Sequence, residues 1–450
     1  MFYYKGKDVV TETFFPELLN RGNINIAWMD LVKAEKIANF RDFLKPPATR
    51  VQYLLVLTLQ IFFGVIKIMK IVIVGAGPVG CFTAKLLKEN GYNKTVILEE
   101  HTTVGQPVQC AGIVSKNLIH LLQSYISDES ILNQINGFNI FYPGVKNFFI
   151  NIPKVAVIID REKFDQSIAR DLNIEYNQRV SSIIKKSNRY HVKTTNGNNY
   201  EADILIGADG PDSLVRRFLL KNYHNNEDDN RDIKTKYYYG MQYQIQLREY
   251  YQFFSNDMVQ VFFEDDTPFF IWMIPENRVG LRLGIISNYG KKILNSFMIN
   301  KNIQGDIMDV ITGKIPIGLI PTYYENIALV GDAACQIKPL TGGGLSYGIQ
   351  SAQMLVNCLK GQQLDKYDKT WKRRFGREIK FGLRARKIYE NLDSTQRKKV
   401  FNLFRDNTHL IEEVVNFDHH SDIFREALKR PRLLVEAGKI LRYYLEDMLK

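Results

Sequence analysis

The run Lys70-Ile71-Val72-Ile73-Val74-Gly75-Ala76-Gly77-Pro78-Val79-Gly80 constrains the fold of this chain more than any other stretch. Its β-branched residues end at a glycine, the pattern of a buried parallel strand running into a turn. Gly75, Gly77 and Gly80 keep the Gly-x-Gly-x-x-Gly spacing. The first glycine permits a tight turn, the second removes a Cβ so that backbone can approach a pyrophosphate, and the third lets a helix pack closely on the strand. That helix is predicted from Pro78 to Asn90, stopping before Gly91. Its free N–H groups and the positive end of its dipole face the phosphate position. A second strand, Thr95 to Leu98, ends at Glu99. An acid about 20 residues after such glycines accepts hydrogen bonds from ribose hydroxyls and repels a 2′-phosphate. Strand, glycine turn, helix, strand and acid in this order predict a dinucleotide site that disfavours NADP.

A distant segment, Ala328-Leu329-Val330-Gly331-Asp332-Ala333-Ala334, decides which dinucleotide is expected. Asp332 follows a buried strand and precedes small residues, which suits a carboxylate accepting from a sugar-alcohol hydroxyl. FAD has such a chain and NAD does not. The competing reading of Asp332 is an N-cap for the next helix. Thr341-Gly342-Gly343-Gly344 leads into a predicted helix from Leu345 to Leu359. Three glycines let backbone lie against a flat ring, and the helix start stabilises negative charge on it; a flexible loop is the alternative. Arg161 opens a predicted helix to Arg170 after a strand at Val155 to Ile159. It pairs either with a phosphate or flavin edge or with a surface carboxylate. Asp209-Gly210-Pro211 turns the chain after another buried strand, where Asp209 holds backbone near the pyrophosphate.

The length of 450 residues suits two or three domains. The net charge of +12 draws on basic clusters such as Lys372-Arg373-Arg374, Arg397-Lys398-Lys399 and Arg430-Pro431-Arg432. These favour an anionic partner or are simply solvated helix faces. No zinc-finger, recognition-helix or RNA-binding signature accompanies them, so no nucleic-acid partner is expected. Cys81, Cys110, Cys335 and Cys358 are scattered without a CxxC pair, which fits a reducing, cytoplasmic compartment. His419 and His420 are too close in sequence to share a helix face, so no metal is expected. The first residues lack an apolar core behind a basic start, unlike a secretory signal. The mostly apolar run Tyr53 to Ile66 is shorter than the ~20 residues needed to span a bilayer. It reads as a packed or interfacial helix, or as part of an extension, 1–68, upstream of a start at Met69.

Along the chain, Tyr190 to Thr194 and the segment around Tyr200 flank Asn196-Gly197-Asn198 as a hairpin. Met241, Tyr243, Ile245 and Leu247 alternate with glutamines, and Val279, Leu281, Leu283 and Ile285 alternate with Gly280, Arg282 and Gly284. Period two predicts antiparallel strands with one face free for solvent or a ligand. The expected fold class is therefore α/β with an α+β insert. A Rossmann-like FAD-binding domain is formed by 69–221 and 322–360, an antiparallel-sheet substrate domain by 222–321, and a helical C-terminal region by 361–450.

These residues resemble the geranylgeranyl reductase family, within the flavoproteins shaped like aromatic hydroxylases. The similarity runs from Met69 to Phe404 through Gly75–Gly80, Gly105-Gln106-Pro107-Val108-Gln109-Cys110-Ala111-Gly112, Asp160–Asp165 and Gly207-Ala208-Asp209-Gly210. It continues through Phe270-Ile271-Trp272-Met273-Ile274-Pro275, Gly331–Ala334 and Pro339–Gly344. The Pro-x-x-Cys and Trp-x-x-Pro elements are the most family-specific. The resemblance implies FAD, with Gly80 and Glu99 on its adenosine half. It places Cys110, Ala111, Gly112, Arg161, Ala208, Asp332, Gly344 and Leu345 around the rest. It further implies saturation of isoprenoid double bonds. The expected electron donor is NAD(P)H or ferredoxin, and peripheral contact with a membrane is expected. Cys110 is the candidate proton donor or shapes the pocket. Phe270, Trp272 and Pro275, with Phe269, line a prenyl tunnel or are core. Ile274, where many members have Phe, and Cys-Ala-Gly in place of Cys-Gly-Gly bear on which substrate is taken. An FAD monooxygenase or epoxidase and a non-catalytic electron-passing flavoprotein share the scaffold.

Overall fold

The computed structural model describes residues 4–5, 8–9, 69–226, 235–248, 255–265, 267, 269–414, 416–422, 426 and 429. The chain divides into two units, Met1–Ile66 and Lys67–Lys450. In the first, Tyr4–Lys5 pairs antiparallel with Asp8–Val9. The apolar run Tyr53 to Ile66 and the triplet Arg430-Pro431-Arg432 lie outside the described residues. Among the described residues no helix is long and apolar enough to cross a membrane.

In the second unit, Ile71–Val74 is buried at every position and lies inside a six-stranded sheet. Burial on both faces explains its unbroken aliphatic composition. The order is Tyr323–Tyr324, Ile327–Leu329, Ile204–Gly207, Ile71–Val74, Thr95–Leu98, Ile174–Glu175. All neighbours are parallel except the first pair. The chain leaves Ile71–Val74 toward Thr95–Leu98 on one side and later returns to its other side as Ile204–Gly207. This reversal opens a crevice at the carboxyl ends of the two strands. On one face Val72 and Val74 pack with Ile183, Tyr190, Val192, Val215 and Leu219. These come from a three-stranded sheet, Val180–Lys186, Arg189–Thr194 and Asn199–Ala202, and from the helix Leu214–Asn226. The helix Pro78–Glu89 packs with Leu345–Lys360 and Arg161–Ala169.

The second sheet has eight strands: Gly305–Ile317, Lys236–Leu247, Gly280–Ile286, Phe270–Pro275, Met258–Phe263, Ile131–Tyr142, Val145–Ile159 and Ile113–Ser115. This corrects the expected boundaries, because residues 113–159, expected in the FAD domain, supply three of its eight strands. Ile131–Tyr142 and Val145–Ile159 are rich in Asn, Gln and Lys and half exposed, so only the apolar end, Val155 to Ile159, stood out by composition. The sheet is also mixed: Met258–Phe263 runs parallel to Ile131–Tyr142. Period two holds as expected. Tyr243, Ile245, Leu247, Leu281, Leu283 and Ile285 pack under the helix Gly290–Asn300 through Leu294 and Phe297, leaving the opposite face for a cavity.

The helices after 361 pack against both sheets. Tyr367–Asn391 buries Trp371 and Phe375 against Tyr347. Phe401, on Ser394–Arg405, stacks on Tyr142 with ring centroids 4.5 Å apart. Arg282 joins the sheet to the preceding loop: its guanidinium donates to Ala111 O at 2.8 Å, Ile159 O at 3.1 Å and the Glu276 carboxylate. Removing one partner of a buried ion pair costs about 3–5 kcal/mol. Arg282→Met, which leaves Glu276 only the Gln244 amide at 3.3 Å and removes the donor to both carbonyls, is expected to lose stability toward the lower end of that range, read as a lower urea midpoint with an unchanged slope.

Candidate functional site

A cavity of about 860 Å³ opens where the crevice of the parallel sheet meets the free face of the eight-stranded sheet. That volume lies in the upper part of the range for ligand sites. The glycine turn forms one end. A Cβ on Gly75 (φ +100°) would lie 2.3 Å from Ala208 O, and one on Gly80 would lie 2.2 Å from Gly75 O. Gly77 has open space around it. Gly77 caps the helix without a side-chain bond and Pro78 takes the first turn, so the next amides are free for a ligand. Glu99 stands beside this turn. Its Oε2 accepts from Ala76 N at 2.8 Å, and its Oε1 meets His101 N at 2.9 Å and His101 Nδ1 at 2.7 Å, which leaves a lone pair of Oε2 for a further donor.

Gly331–Ala334 forms a 3-10 turn that carries Asp332 to the cavity wall. Asp332 is inside this turn and Val330 caps it, so the N-cap reading of Asp332 is not what the backbone shows. The Asp332 carboxylate takes no hydrogen bond from a described residue. Burial pushes it up to about 6, against the lowering effect of Arg161 and Arg216. Arg216, a residue the sequence reading missed, holds the turn: it donates to Asp332 O at 3.1 Å, Ala333 O at 3.2 Å and Tyr237 Oη at 2.8 Å. Its only sequence signal was a basic residue one turn into a helix after Asp209-Gly210.

Gly342, Gly343, Gly344 and Leu345 also line the cavity. Gly344 caps Leu345–Lys360 without a side chain. Lys338 lies under this loop, bonded through its backbone to Gly342 and Gly343. Its ammonium is held by Phe417 O at 2.9 Å and Asp418 at 3.3 Å. Phe417 and His420 complete that wall. Burial lowers His420 to about 3, so its imidazole is neutral at pH 7. Arg386 braces the loop from behind, donating to Pro339 O and Leu340 O, each at 2.7 Å.

The other expected residues divide between the cavity wall and its supports. Arg161 lines the cavity, and its Nε and Nη2 bond Asp165 at 3.1 and 2.9 Å inside one helix. Burial acts to lower the Arg161 pKa, and Asp165 and Cys110, within hydrogen-bonding reach, raise it by more. Asp209 lines the cavity and its carboxylate holds backbone at the strand end, accepting from Leu214 N at 2.7 Å and Val215 N at 3.1 Å at the start of Leu214–Asn226. Gly112 is not in the wall: a Cβ there would lie 1.8 Å from the Arg282 guanidinium. Pro275 is not in the wall either. Phe270, Trp272 and Ile274 line the cavity, and period two puts Pro275 on the opposite face with Ile271 and Met273. Ala208 and Gly210 line the cavity at the strand end.

The far half is apolar, lined by Phe138, Val155, Val259, Val261, Phe270 and Ile274. Cys110 stands between the halves. It touches Arg161, takes a hydrogen bond from Gly112 N at 3.4 Å, and precedes Ala111, which packs into the apolar cluster. Among the described residues no group of three His, Cys, Asp or Glu is arranged to hold a metal.

Comparison with known proteins agrees with this geometry. The FAD binding domain model matches residues 69–136. An uncharacterized protein of Methanocaldococcus jannaschii is 32% identical over 382 residues, 79% of this chain and 92% of its own. A digeranylgeranylglycerophospholipid reductase of Methanococcus vannielii is 25% identical over 406 residues, covering 84% of this chain and 97% of its own. The crystal structure of a geranylgeranyl bacteriochlorophyll reductase-like protein from Thermoplasma acidophilum superposes with a TM-score of 0.67 at 21% identity. It covers 83% of this chain and 99% of that one, which shows the shared fold. The chain belongs to the same family as the Methanocaldococcus jannaschii protein and is similar, at about 25% identity, to digeranylgeranylglycerophospholipid reductases. It is an FAD-dependent oxidoreductase, and the side-chain-free cradle and the unpaired Asp332 carboxylate fit that cofactor.

Asp332 yields a pH-dependent prediction. Its folded pKa is raised, so the folded state holds the proton more tightly and stability falls as pH rises from about 4 to about 6. Above that window the full penalty, of order 3 kcal/mol, persists. Asp332→Asn is expected to raise the melting temperature of cofactor-free protein at pH 8, with the gain shrinking below pH 5, while weakening FAD binding at least tenfold. Differential scanning fluorimetry across pH and a fluorescence titration with FAD check both halves.

Proposed function

We propose that this enzyme saturates carbon–carbon double bonds of isoprenoid chains carried by prenylated lipids. The observation that carries the reading is the single cavity with two chemistries, polar where it meets the glycine turn and apolar beneath the eight-stranded sheet, with Cys110 between them. A prenyl chain gains about 0.8 kcal/mol per buried CH₂, so the apolar half binds it with few polar contacts. The names of the reductase relatives support the same substrate class. In this reading the glycine turn and Glu99 hold the adenosine half of FAD, Asp332 takes a ribityl hydroxyl, and Gly342 to Leu345 lie against the flavin ring. Reduced FAD, when bound, supplies a hydride to one alkene carbon.

The chain's own residues then position and protonate. Phe270, Trp272 and Ile274 hold the chain flat against the sheet and keep water out. The Cys110 thiol gives its proton to the second carbon, and the thiolate left behind faces Arg161 and the Gly112 amide, both of them donors. A carboxylate at Glu99 favours NAD(H) over NADP(H) only for a nucleotide bound at the glycine turn, so the electron donor, NAD(P)H or a ferredoxin, acts at another surface. We place the enzyme in the cytoplasm, in peripheral contact with a membrane. The edge strand Gly305–Ile317, which exposes Ile307, Met308 and Val310, offers an apolar surface for that contact.

Anaerobic stopped-flow mixing of the reduced enzyme with a geranylgeranyl lipid tests this. Flavin absorbance is expected to return while the product gains mass in steps of two hydrogens. Cys110→Ser is expected to slow reoxidation about 10²-fold, the lower end of the range for a general acid, with FAD content unchanged. Flavin that stays reduced with every prenyl substrate refutes the substrate class. Cys110→Ser turning over at the wild-type rate refutes the acid.

A further inference from the structure

We propose that Gln242 is a ligand-binding residue whose side-chain amide donates a hydrogen bond to a neutral acceptor atom inside the cavity. In the sheet register Gly284 lies between Gln242 and Trp272 and is paired with each. A Cβ on Gly284 would lie 2.4 Å from the Trp272 ring, so the missing side chain lets the indole lie across this strand. The Trp272 Nε1–H thereby reaches Gln242 Oε1 at 2.9 Å. An indole nitrogen only donates, so the atom it meets must be the amide oxygen. The flip of Gln242 is thus decided by its neighbour, and its NH₂ group is directed away from the indole.

Gln242 is 2% exposed, and its Nε2 has no hydrogen-bond partner among the described residues. It belongs to the cavity wall with Met241, Phe270, Trp272 and Ile311. Buried donors are nearly always paired, and ligand cavities use a few placed polar groups on apolar walls to orient what they bind. An oriented, unpaired donor in such a wall marks the position of a ligand acceptor. A flavin ring carbonyl or nitrogen and an oxygen at the head of a prenyl chain share that chemistry. The second source rests on the substrate reading above and the first does not.

The holoenzyme is compared with Gln242→Met, which keeps the bulk and removes the donor, and Gln242→Glu, which keeps an oxygen for Trp272. The probes are geranylgeraniol and the hydrocarbon of the same skeleton without the hydroxyl, titrated by flavin absorbance, together with the midpoint potential of the bound flavin. For an acceptor on the substrate, Gln242→Met weakens the alcohol about tenfold and leaves the hydrocarbon unchanged. Gln242→Glu then recovers alcohol binding as pH falls and its carboxyl regains a proton to donate. For an acceptor on the flavin, both variants shift the potential or the visible spectrum and affect the two ligands alike. Should Gln242→Met fail to fold, Gln242→Glu carries the same readouts. Variants that hold FAD at wild-type stoichiometry and show neither change overturn the proposal. Wild-type enzyme that binds neither prenyl probe refutes the substrate reading, and the flavin readouts alone then decide Gln242.

Discussion

At the carboxyl ends of Ile71–Val74 and Ile204–Gly207, backbones approach so closely that neither Gly75 nor Gly80 has room for a Cβ. This contact seats the helix Pro78–Glu89 directly on the sheet and points its unpaired amides into the crevice. Everything else in the site is placed relative to it. Ala208 closes the turn from the neighbouring strand, Glu99 bonds the turn's amide from the other side, and Gly348 lets the helix Leu345–Lys360 approach Val79. A side chain at either glycine would separate strand and helix, and the shift would propagate to the 3-10 turn carrying Asp332.

The second requirement is that two sheets of different origin share one cavity wall. Buried cations joined to backbone carbonyls make the connection. Arg282 ties the eight-stranded sheet to the Cys110 loop, Arg216 ties a surface helix to the Asp332 turn, and Arg386 ties a late helix to the loop before Gly342. A carbonyl is a weaker partner than a carboxylate, but it belongs to the main chain. Each arginine therefore fixes the path of a loop as well as the place of a side chain. The helices after residue 361 thus belong to the site, because they hold its loops in place.

The polar end of the cavity is also costly to the cofactor-free protein. Asp332 is desolvated without a hydrogen-bond donor, and the Gln242 amide is buried with its NH₂ group unpaired among the described residues, a defect worth about 1–3 kcal/mol. Groups left unsatisfied in the fold are those a ligand can satisfy, so stability and binding are opposed at the same atoms.

Local pattern alone determined the nucleotide half of this protein. The glycine spacing, the strand before it, Glu99 after it, and the second carboxylate at Asp332 are consequences of backbone sterics and short-range order, which a linear sequence carries directly. Period two likewise revealed which faces of Lys236–Leu247 and Gly280–Ile286 are apolar. Tertiary structure alone decided that the polar strands of 131–159 join that sheet, because their burial comes from partners distant in sequence and not from their own composition. It also decided that Arg161 bonds Asp165 and that Asp209 caps a helix. Each of these residues had competing partners available, and only the packed fold determines which of them comes within hydrogen-bonding distance.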